Sequence, residues 1–321
     1  MGIWHLDMFT LVISDKDASR YADLLAGDFR SVRVVPTAPA DLDTQLPSAD
    51  GLVTFGVELD HVLLQRASNL RWIQALSTGT DRFIPLLINR PNIKLTSARG
   101  AHGPAVSEMA IMLMLALARR LPSAVRNQER RQWTNEIGTL LYRKTVGIAG
   151  VGVIGREIAR YAKAFSMRTV GFGTRIDRLD HLDAAHVYSE LCDVVPKLDF
   201  LILTTPLRVD TVGLINRSIL EQMKSTAFLI NVGRGPLVDE EALIVALRLH
   251  RIAGAAMDVF NQEPLPESSP LWTLDNLLIT PHVAGAHDRY PESVIPIIRT
   301  NLRLMLADRS AELINLVNGA P

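Results

Sequence analysis

Three polar side chains stand where apolar runs end: Arg234 in NVGRG, Glu263 in DVFNQEP and His282 in TPHVAG. As a set they suit the reduction of a 2-oxo acid. An arginine can bind the carboxylate bidentately and polarise the carbonyl. A histidine can give up a proton near neutral pH. A carboxylate beside that histidine fixes the ring and favours its protonated form. Taken singly, each has a plainer reading: Arg234 as a surface cap, Glu263 as a solvated loop residue, His282 as a satisfied core histidine. Their common position joins them, since each follows the carboxyl end of an apolar run, where open α/β sheets bind their ligands.

The same pattern holds at Thr145–Phe165, TVGIAGVGVIGREIARYAKAF. Val146–Ala149 is apolar or Gly and reads as a short buried strand, and Arg156–Phe165 has the apolar spacing of a helix. Between them Gly150, Gly152 and Gly155 keep the G-x-G-x-x-G spacing. The first allows a tight turn, the second lets backbone approach a pyrophosphate, and the third lets helix pack close to strand. The helix that follows offers unpaired N–H groups and a positive dipole end to phosphates, and Val153 and Ile154, inside the motif, join the three glycines as cofactor-binding candidates. Strand before and helix after make this a dinucleotide site rather than a chance glycine turn.

The elements that must hold these residues follow from apolar patterning. FTLVIS, SVRVV (31–35), GLVTF (51–55), LRWIQAL (70–76) and NIKLTS (92–97) read as strands, with Ala18–Leu25 and Glu58–Arg66 as helices between them. Strand–helix alternation argues for a parallel α/β sheet. The run STGTD (77–81) ends the fourth strand, and the amides of Thr78 and Gly79 could hold a carboxylate; the plainer reading is an ordinary turn. Pro104–Leu121 reads as a mostly apolar helix and Asn127–Trp133 as a polar one. RTVGFG (168–173), LDFLILTTP (198–206), AFLINVGRG (227–235), IAGAAMDVF (252–260) and LLITPH (277–282) join the glycine-turn strand in an expected six-stranded doubly wound sheet. A last amphipathic helix, from Tyr290, crosses back to the first domain.

With 321 residues, 48% hydrophobic and 21% charged, the chain suits two domains with sizeable cores. Lys+Arg and Asp+Glu both number 34, so there is no basic surplus for nucleic acid. The single cysteine, Cys192, excludes an internal disulfide, suits a reducing cytoplasm and reads as a buried structural thiol. The N-terminus, MGIWHLDMFTLVIS, lacks the pattern of a signal peptide and reads as a first strand, and no segment approaches a membrane span. No metal-ligand spacing is present.

On these motifs the chain resembles the D-isomer-specific 2-hydroxyacid dehydrogenases over nearly its whole length, most densely over 146–285. NVGRGPLVDEEAL (231–243) resembles the family segment with the substrate-binding arginine, here Arg234. AAMDVFNQEPLPESSPLW (255–272) resembles the segment whose glutamate, here Glu263, partners the catalytic histidine, and TPHVAG (280–285) the segment holding that histidine, here His282. The resemblance implies that Thr205, Pro206, Val232, Gly233, Asp258, Ala284 and Gly285 line the cofactor, with Asp258 near the nicotinamide carboxamide. It assigns Thr78 and Gly79 to the substrate carboxylate and lets His102 reach the active-site mouth. It implies a Rossmann-type nucleotide domain, 102–287, inserted in a flavodoxin-like substrate domain, 1–101 plus 288–321, with the cleft between them. Members usually dimerise through the nucleotide domain, and Trp133 lies in the segment expected to reach over the partner.

Departures sharpen the reading. Formate dehydrogenases of the superfamily carry Gln where Glu263 stands, and the chain ends short of the regulatory domain found in many phosphoglycerate dehydrogenases. The acid that usually ends the second strand and accepts from the ribose hydroxyls is missing: Gly173, Thr174 and Arg175 stand there, and the first acid is Asp177. Thr174 and Arg175 suit a 2′-phosphate, so NADP is the expected cofactor, with NAD possible. The expected activity is NAD(P)H-dependent reduction of a 2-oxo acid to the (R)-2-hydroxy acid; the alternative is a cofactor-sensing corepressor-type protein on the same fold.

Overall fold

The computed structural model describes residues 8–175 and 180–317. Asp177 and the first seven residues lie outside the described residues. Two compact units are present: the described residues up to His102 with those from His287 onward, and Gly103–Ala286.

The first unit holds a parallel sheet of β1 (Phe9–Ser14), β2 (Val32–Thr37), β3 (Gly51–Thr54), β4 (Trp72–Ala75) and β5 (Lys94–Thr96), in the order β2-β1-β3-β4-β5. This is the flavodoxin-like doubly wound order. Both faces are covered, as a parallel sheet requires. Leu11, Ile13, Val53 and Trp72 pack with Tyr21, Leu25, Ile298 and Leu302 on one side. Val12, Leu52 and Ile73 pack with Leu42, Leu46, Leu63 and Leu64 on the other. The expected helix Glu58–Arg66 starts at His61, because Asp60 caps it by accepting from Leu63 N at 2.7 Å. The helix from Tyr290 runs to Leu306 and belongs to this unit.

The second unit contains β6 (Thr145–Ala149), β7 (Arg168–Gly173), β8 (Ala184–Val187), β9 (Phe200–Leu203), β10 (Phe228–Asn231), β11 (Gly254–Met257) and β12 (Leu277–Ile279). All pairs are parallel and the order is β12-β11-β10-β9-β6-β7-β8. The expected six strands are therefore seven among the described residues. β8, AAHV, was missed because it is a short edge strand, half-buried and interrupted by a histidine. The helix after the glycine turn starts at Val153, three residues before the apolar spacing becomes visible.

Two expected helices end early. The apolar one covers Gly103–Ala118, and Arg120 takes a left-handed φ of 55° before Leu121–Glu129 begins with Pro122 in its first turn. Pro122 has no N–H to give Ala118 O four residues back, which accepts from Thr139 N at 2.7 Å instead, so one apolar run becomes two helices. The polar helix expected over Asn127–Trp133 stops at Glu129, since Arg131 is left-handed and Gln132 N returns to Asn127 O at 2.8 Å. Cys192 is half-buried rather than buried, with Gln222 Nε2 donating to its sulfur at 2.7 Å.

A device shared by both sheets sets their amino edges. An aspartate directly before one strand accepts the N–H near the start of its neighbour: Asp50 from Thr10, Asp183 from Thr169 and Asp199 from Thr145, at 2.9, 2.8 and 2.8 Å. Each bond satisfies a backbone donor that the ladder leaves unpaired and holds the register of two strands.

Candidate active site

The sheet order reverses between β6 and β9, and the glycine turn follows β6 at that point. Its three glycines are required for three reasons. Gly150 has φ +103°, and a Cβ there would lie 2.6 Å from Thr205 N. Gly155 faces the turn itself, where a Cβ would lie 2.0 Å from Gly150 O. At Gly152 a Cβ would meet nothing within 4 Å, so the backbone opens onto free space. The helix Val153–Ala164 starts there without a side-chain cap, leaving first-turn N–H groups for an anion. A backbone closed on two sides and open on the third fits a dinucleotide pyrophosphate.

The other candidates of this unit stand at the carboxyl ends of neighbouring parallel strands, and so on the same edge. Thr174 and Arg175 follow β7 and are exposed; Thr205 and Pro206 follow β9. Thr205 is buried and its Oγ1 accepts from Tyr188 OH at 2.8 Å. Thr174 Oγ1 accepts from Arg208 at 2.5 Å, a contact between loops 34 residues apart that no local pattern announces.

After β10, Asn231 shapes the arginine loop. Its buried amide accepts from Gly233 N at 3.0 Å and donates to Arg234 O at 2.8 Å. Val232 and Gly233 are buried, while Arg234 is half-buried with Nη1 donating to Gly233 O at 2.7 Å. Gly235 presses on the next loop: a Cβ there would lie 2.0 Å from the Phe260 carbonyl carbon. The loop after β11 carries Glu263, whose Oε1 accepts from Phe260 N at 2.9 Å. Its Oε2 lies 2.6 Å from His282 Nδ1. The sheet thus brings together the Glu–His pair read from sequence and places Arg234 one loop away. Half of the His282 side chain is exposed, and with Nδ1 engaged its Nε2 is the nitrogen left for chemistry.

Asp258 has a role that sequence reasoning missed. It is fully buried, and both its oxygens meet protein donors: Thr280 Oγ1 at 2.6 Å, Val283 N at 3.0 Å and Ala284 N at 3.0 Å. His282 N donates to the Asp258 carbonyl at 2.8 Å, and His282 itself has φ 53°. Asp258 is a clamp on the TPHVAG segment, including Ala284 and Gly285. The signal was available as an aspartate at a strand end without a cation nearby in sequence.

Thr78, Gly79 and His102 lie in the first unit. Thr78 Oγ1 is 3.0 Å from His102 Nδ1, and Ser77 Oγ donates to Gly79 O at 2.6 Å. Among the described residues the N–H groups of Thr78 and Gly79 meet no protein acceptor. Tyr290, also missed from sequence, supports this loop. Its hydroxyl donates to Leu76 O, its ring lies 5.0 Å from His102 and 5.8 Å from Phe55, and burial pushes its ionisation upward so that it stays a donor. Among the described residues no group of three or more His, Cys, Asp or Glu side chains is placed to hold a metal ion.

Residues 111–284 match the NAD binding domain of the D-isomer specific 2-hydroxyacid dehydrogenases. The chain is 36% identical to glyoxylate/hydroxypyruvate reductase B of Yersinia pestis (strain Pestoides F) over 259 residues, 79% of each chain. A D-isomer specific 2-hydroxyacid dehydrogenase family protein from Aeromonas salmonicida subsp. salmonicida A449 superposes with a TM-score of 0.88 at 30% identity, covering 98% of this chain and all of the other. A D-isomer specific 2-hydroxyacid dehydrogenase from Xanthobacter autotrophicus Py2, solved with NADPH and MES, superposes with a TM-score of 0.80 at 26% identity over 97% of this chain and 98% of the other.

Proposed function

The chain belongs to the D-isomer-specific 2-hydroxyacid dehydrogenases, and from that premise we propose that it reduces glyoxylate, hydroxypyruvate or a similarly small 2-oxo acid to the (R)-2-hydroxy acid, with NADPH preferred over NADH. The observation that carries this is the 2.6 Å Glu263–His282 contact, on the sheet edge that also holds the open glycine turn.

The turn from Gly150 to Gly155, with Val153 and Ile154, would hold the pyrophosphate, and Thr174 and Arg175 the adenosine 2′-phosphate. Thr205, Pro206, Val232, Gly233, Asp258, Ala284 and Gly285 would complete the cofactor site, Asp258 by holding its segment in place. Bound reduced nicotinamide supplies the hydride. His282 gives the carbonyl oxygen its proton from Nε2, Glu263 stabilises the imidazolium, and Arg234 takes the substrate carboxylate. In the first unit the amides of Thr78 and Gly79 are the carboxylate-binding pair. His102 orients Thr78. The relatives named as reductases and dehydrogenases weigh against the cofactor-sensing alternative.

The absent acid after β7 supports the NADPH preference, because a carboxylate there would repel a 2′-phosphate. A charge-assisted arginine–phosphate contact is worth roughly 1.5–3 kcal/mol, trimmed by exposure and salt, so some NADH activity should survive. Cofactor-oxidation assays with glyoxylate, hydroxypyruvate and longer 2-oxo acids, with each cofactor at one ionic strength, test both statements. Turnover of small 2-oxo acids, a lower KM for NADPH, and loss of that preference in Arg175→Ala are expected. No turnover across the panel rejects the activity, and a lower KM for NADH rejects the cofactor reading.

A cytoplasmic homodimer is part of the same proposal. Among the described residues no helix is long and apolar enough to cross a membrane. In the second unit Trp133 and Ile137 are 96% and 90% exposed. The helix Gly103–Ala118 borders an apolar groove of about 630 Å³ lined by Ile111, Met112, Leu115, Tyr161 and Phe165. Exposed aromatic and aliphatic side chains beside an apolar groove suit a twofold interface. Sedimentation showing only a species near 35.4 kDa at micromolar concentration would reject it.

A further inference from the structure

Arg208 joins the adenosine end of the edge from a different strand than Arg175. Thr174 follows β7 and Arg208 follows β9, yet Arg208 Nη2 donates to Thr174 Oγ1 at 2.5 Å. The other side of the guanidinium is gripped by Asp210, Nε to Oδ1 at 2.9 Å and Nη2 to Oδ2 at 2.7 Å. Three of its five N–H groups are thereby used. The two on Nη1 meet no protein acceptor among the described residues.

The backbone that presents this side chain is fixed from below. Thr211 is fully buried; its hydroxyl accepts from Arg208 N at 2.8 Å and donates to Pro206 O at 2.9 Å. Arg208 therefore stands on a locked turn with its charge held in one place by Asp210. Such preorganisation lowers the entropy cost of gripping a ligand.

The donor count identifies the ligand's chemistry. Thr174 accepts from Arg208, so its own hydroxyl hydrogen is left to give away. Thr174 O–H and the Nη1 side of Arg208 both donate, and Arg175 is the next residue along the chain. A ribose 2′-hydroxyl would need an acceptor carboxylate, and Asp210 is already bonded to Arg208. A phosphate monoester, with about −1.5 to −2 charges and three acceptor oxygens, satisfies both donors.

We infer that Arg208, held by Asp210 and bonded to Thr174, is a second 2′-phosphate-binding side chain, so that NADPH is recognised from two strand ends at once. This rests on the NADPH reading above. Titration calorimetry of the purified protein with 2′,5′-ADP and with 5′-AMP tests it without turnover. The unsubstituted protein should bind 2′,5′-ADP more tightly. Arg208→Gln should weaken 2′,5′-ADP roughly tenfold while 5′-AMP shifts less than twofold, and Arg208→Lys, which keeps the charge, should lose less. The KM for NADPH should rise in the same order. If Arg208→Gln weakens both nucleotides equally, Arg208 only supports the turn and the inference is overturned; if it weakens neither, it is overturned as well. Should the unsubstituted protein fail to distinguish the two nucleotides, the NADPH reading falls and takes this inference with it. Discrimination that disappears in Arg175→Ala but persists in Arg208→Gln overturns the role of Arg208 alone.

Discussion

The two edges of the seven-stranded sheet use the same side chain, aspartate, for opposite ends. At the amino edge Asp199 accepts from Thr145 N and pairs with Lys224 at 2.9 Å and Lys144 at 3.7 Å. At the carboxyl edge Asp258 is fully buried and holds a hydroxyl and two backbone N–H groups. The first arrangement ties neighbouring strands together and is half open to solvent through its lysines. The second grips a segment more than twenty residues away and keeps His282 in a left-handed conformation that costs roughly 1–2 kcal/mol for a residue with a side chain. Strain persists where surrounding bonds over-determine it. One edge serves register and stability; the other gives up some stability to aim an imidazole.

That contrast is broken most directly at His282. Its replacement by Ala should lower turnover by about 10²–10⁴, the usual cost of losing a general acid, and leave the thermal midpoint nearly unchanged because half the side chain is exposed. Near-native turnover in a folded His282→Ala protein would remove the acid role. Glu263→Gln is the subtler probe. The carboxylate 2.6 Å from Nδ1 fixes the orientation of the ring. An amide in its place can present N–H to the same nitrogen and let the ring turn, so turnover should fall, but by less than in His282→Ala. Unchanged turnover in Glu263→Gln would show that the pair is structural, like the contacts of the opposite edge.

Most of the carboxyl edge was legible because its residues are both unusual and local. The glycine spacing, the arginine after NVG and the histidine after TP stand out against the apolar runs they interrupt. The strands of the second unit were legible as apolar runs, except for β8, whose four residues are too short and too polar to register as one. Contacts between loops were not legible. Arg208 reaches Thr174 across 34 residues, Tyr290 reaches Leu76 across 214, and Asp258 reaches Ala284 across 26. Each side chain has a bland local reading, and only the parallel sheet makes them neighbours. The segment after Glu129 failed for another reason: a polar stretch of helical composition has nothing in its own unit to bury, so propensity alone could not extend the helix.

The smallest expected effect belongs to the amino edge, and it completes the comparison. Burial alone would raise the Asp199 carboxyl, but Thr145 N–H, Lys224 and Lys144 outweigh it and hold the group below the ordinary aspartate range. A lowered folded value means that the contribution to stability is present above the unfolded value, near 3.9, and is lost as pH falls through the folded one. Asp199→Asn keeps an oxygen for Thr145 N but loses the charge that both lysines face. With those lysines over a third exposed, 39% and 36%, screening limits the loss to on the order of 1 kcal/mol, about 2–4 °C in the thermal midpoint of a unit this size. The difference from the unsubstituted protein should be full at pH 7 and shrink below about pH 4. Turnover should be unaffected, because Asp199 precedes β9 and bonds Thr145, at the opposite end of the strands from the glycine turn and His282. If Asp199→Asn lowered turnover at a temperature where the protein is fully folded, the two edges would be coupled through the sheet and the division of labour between them would not hold.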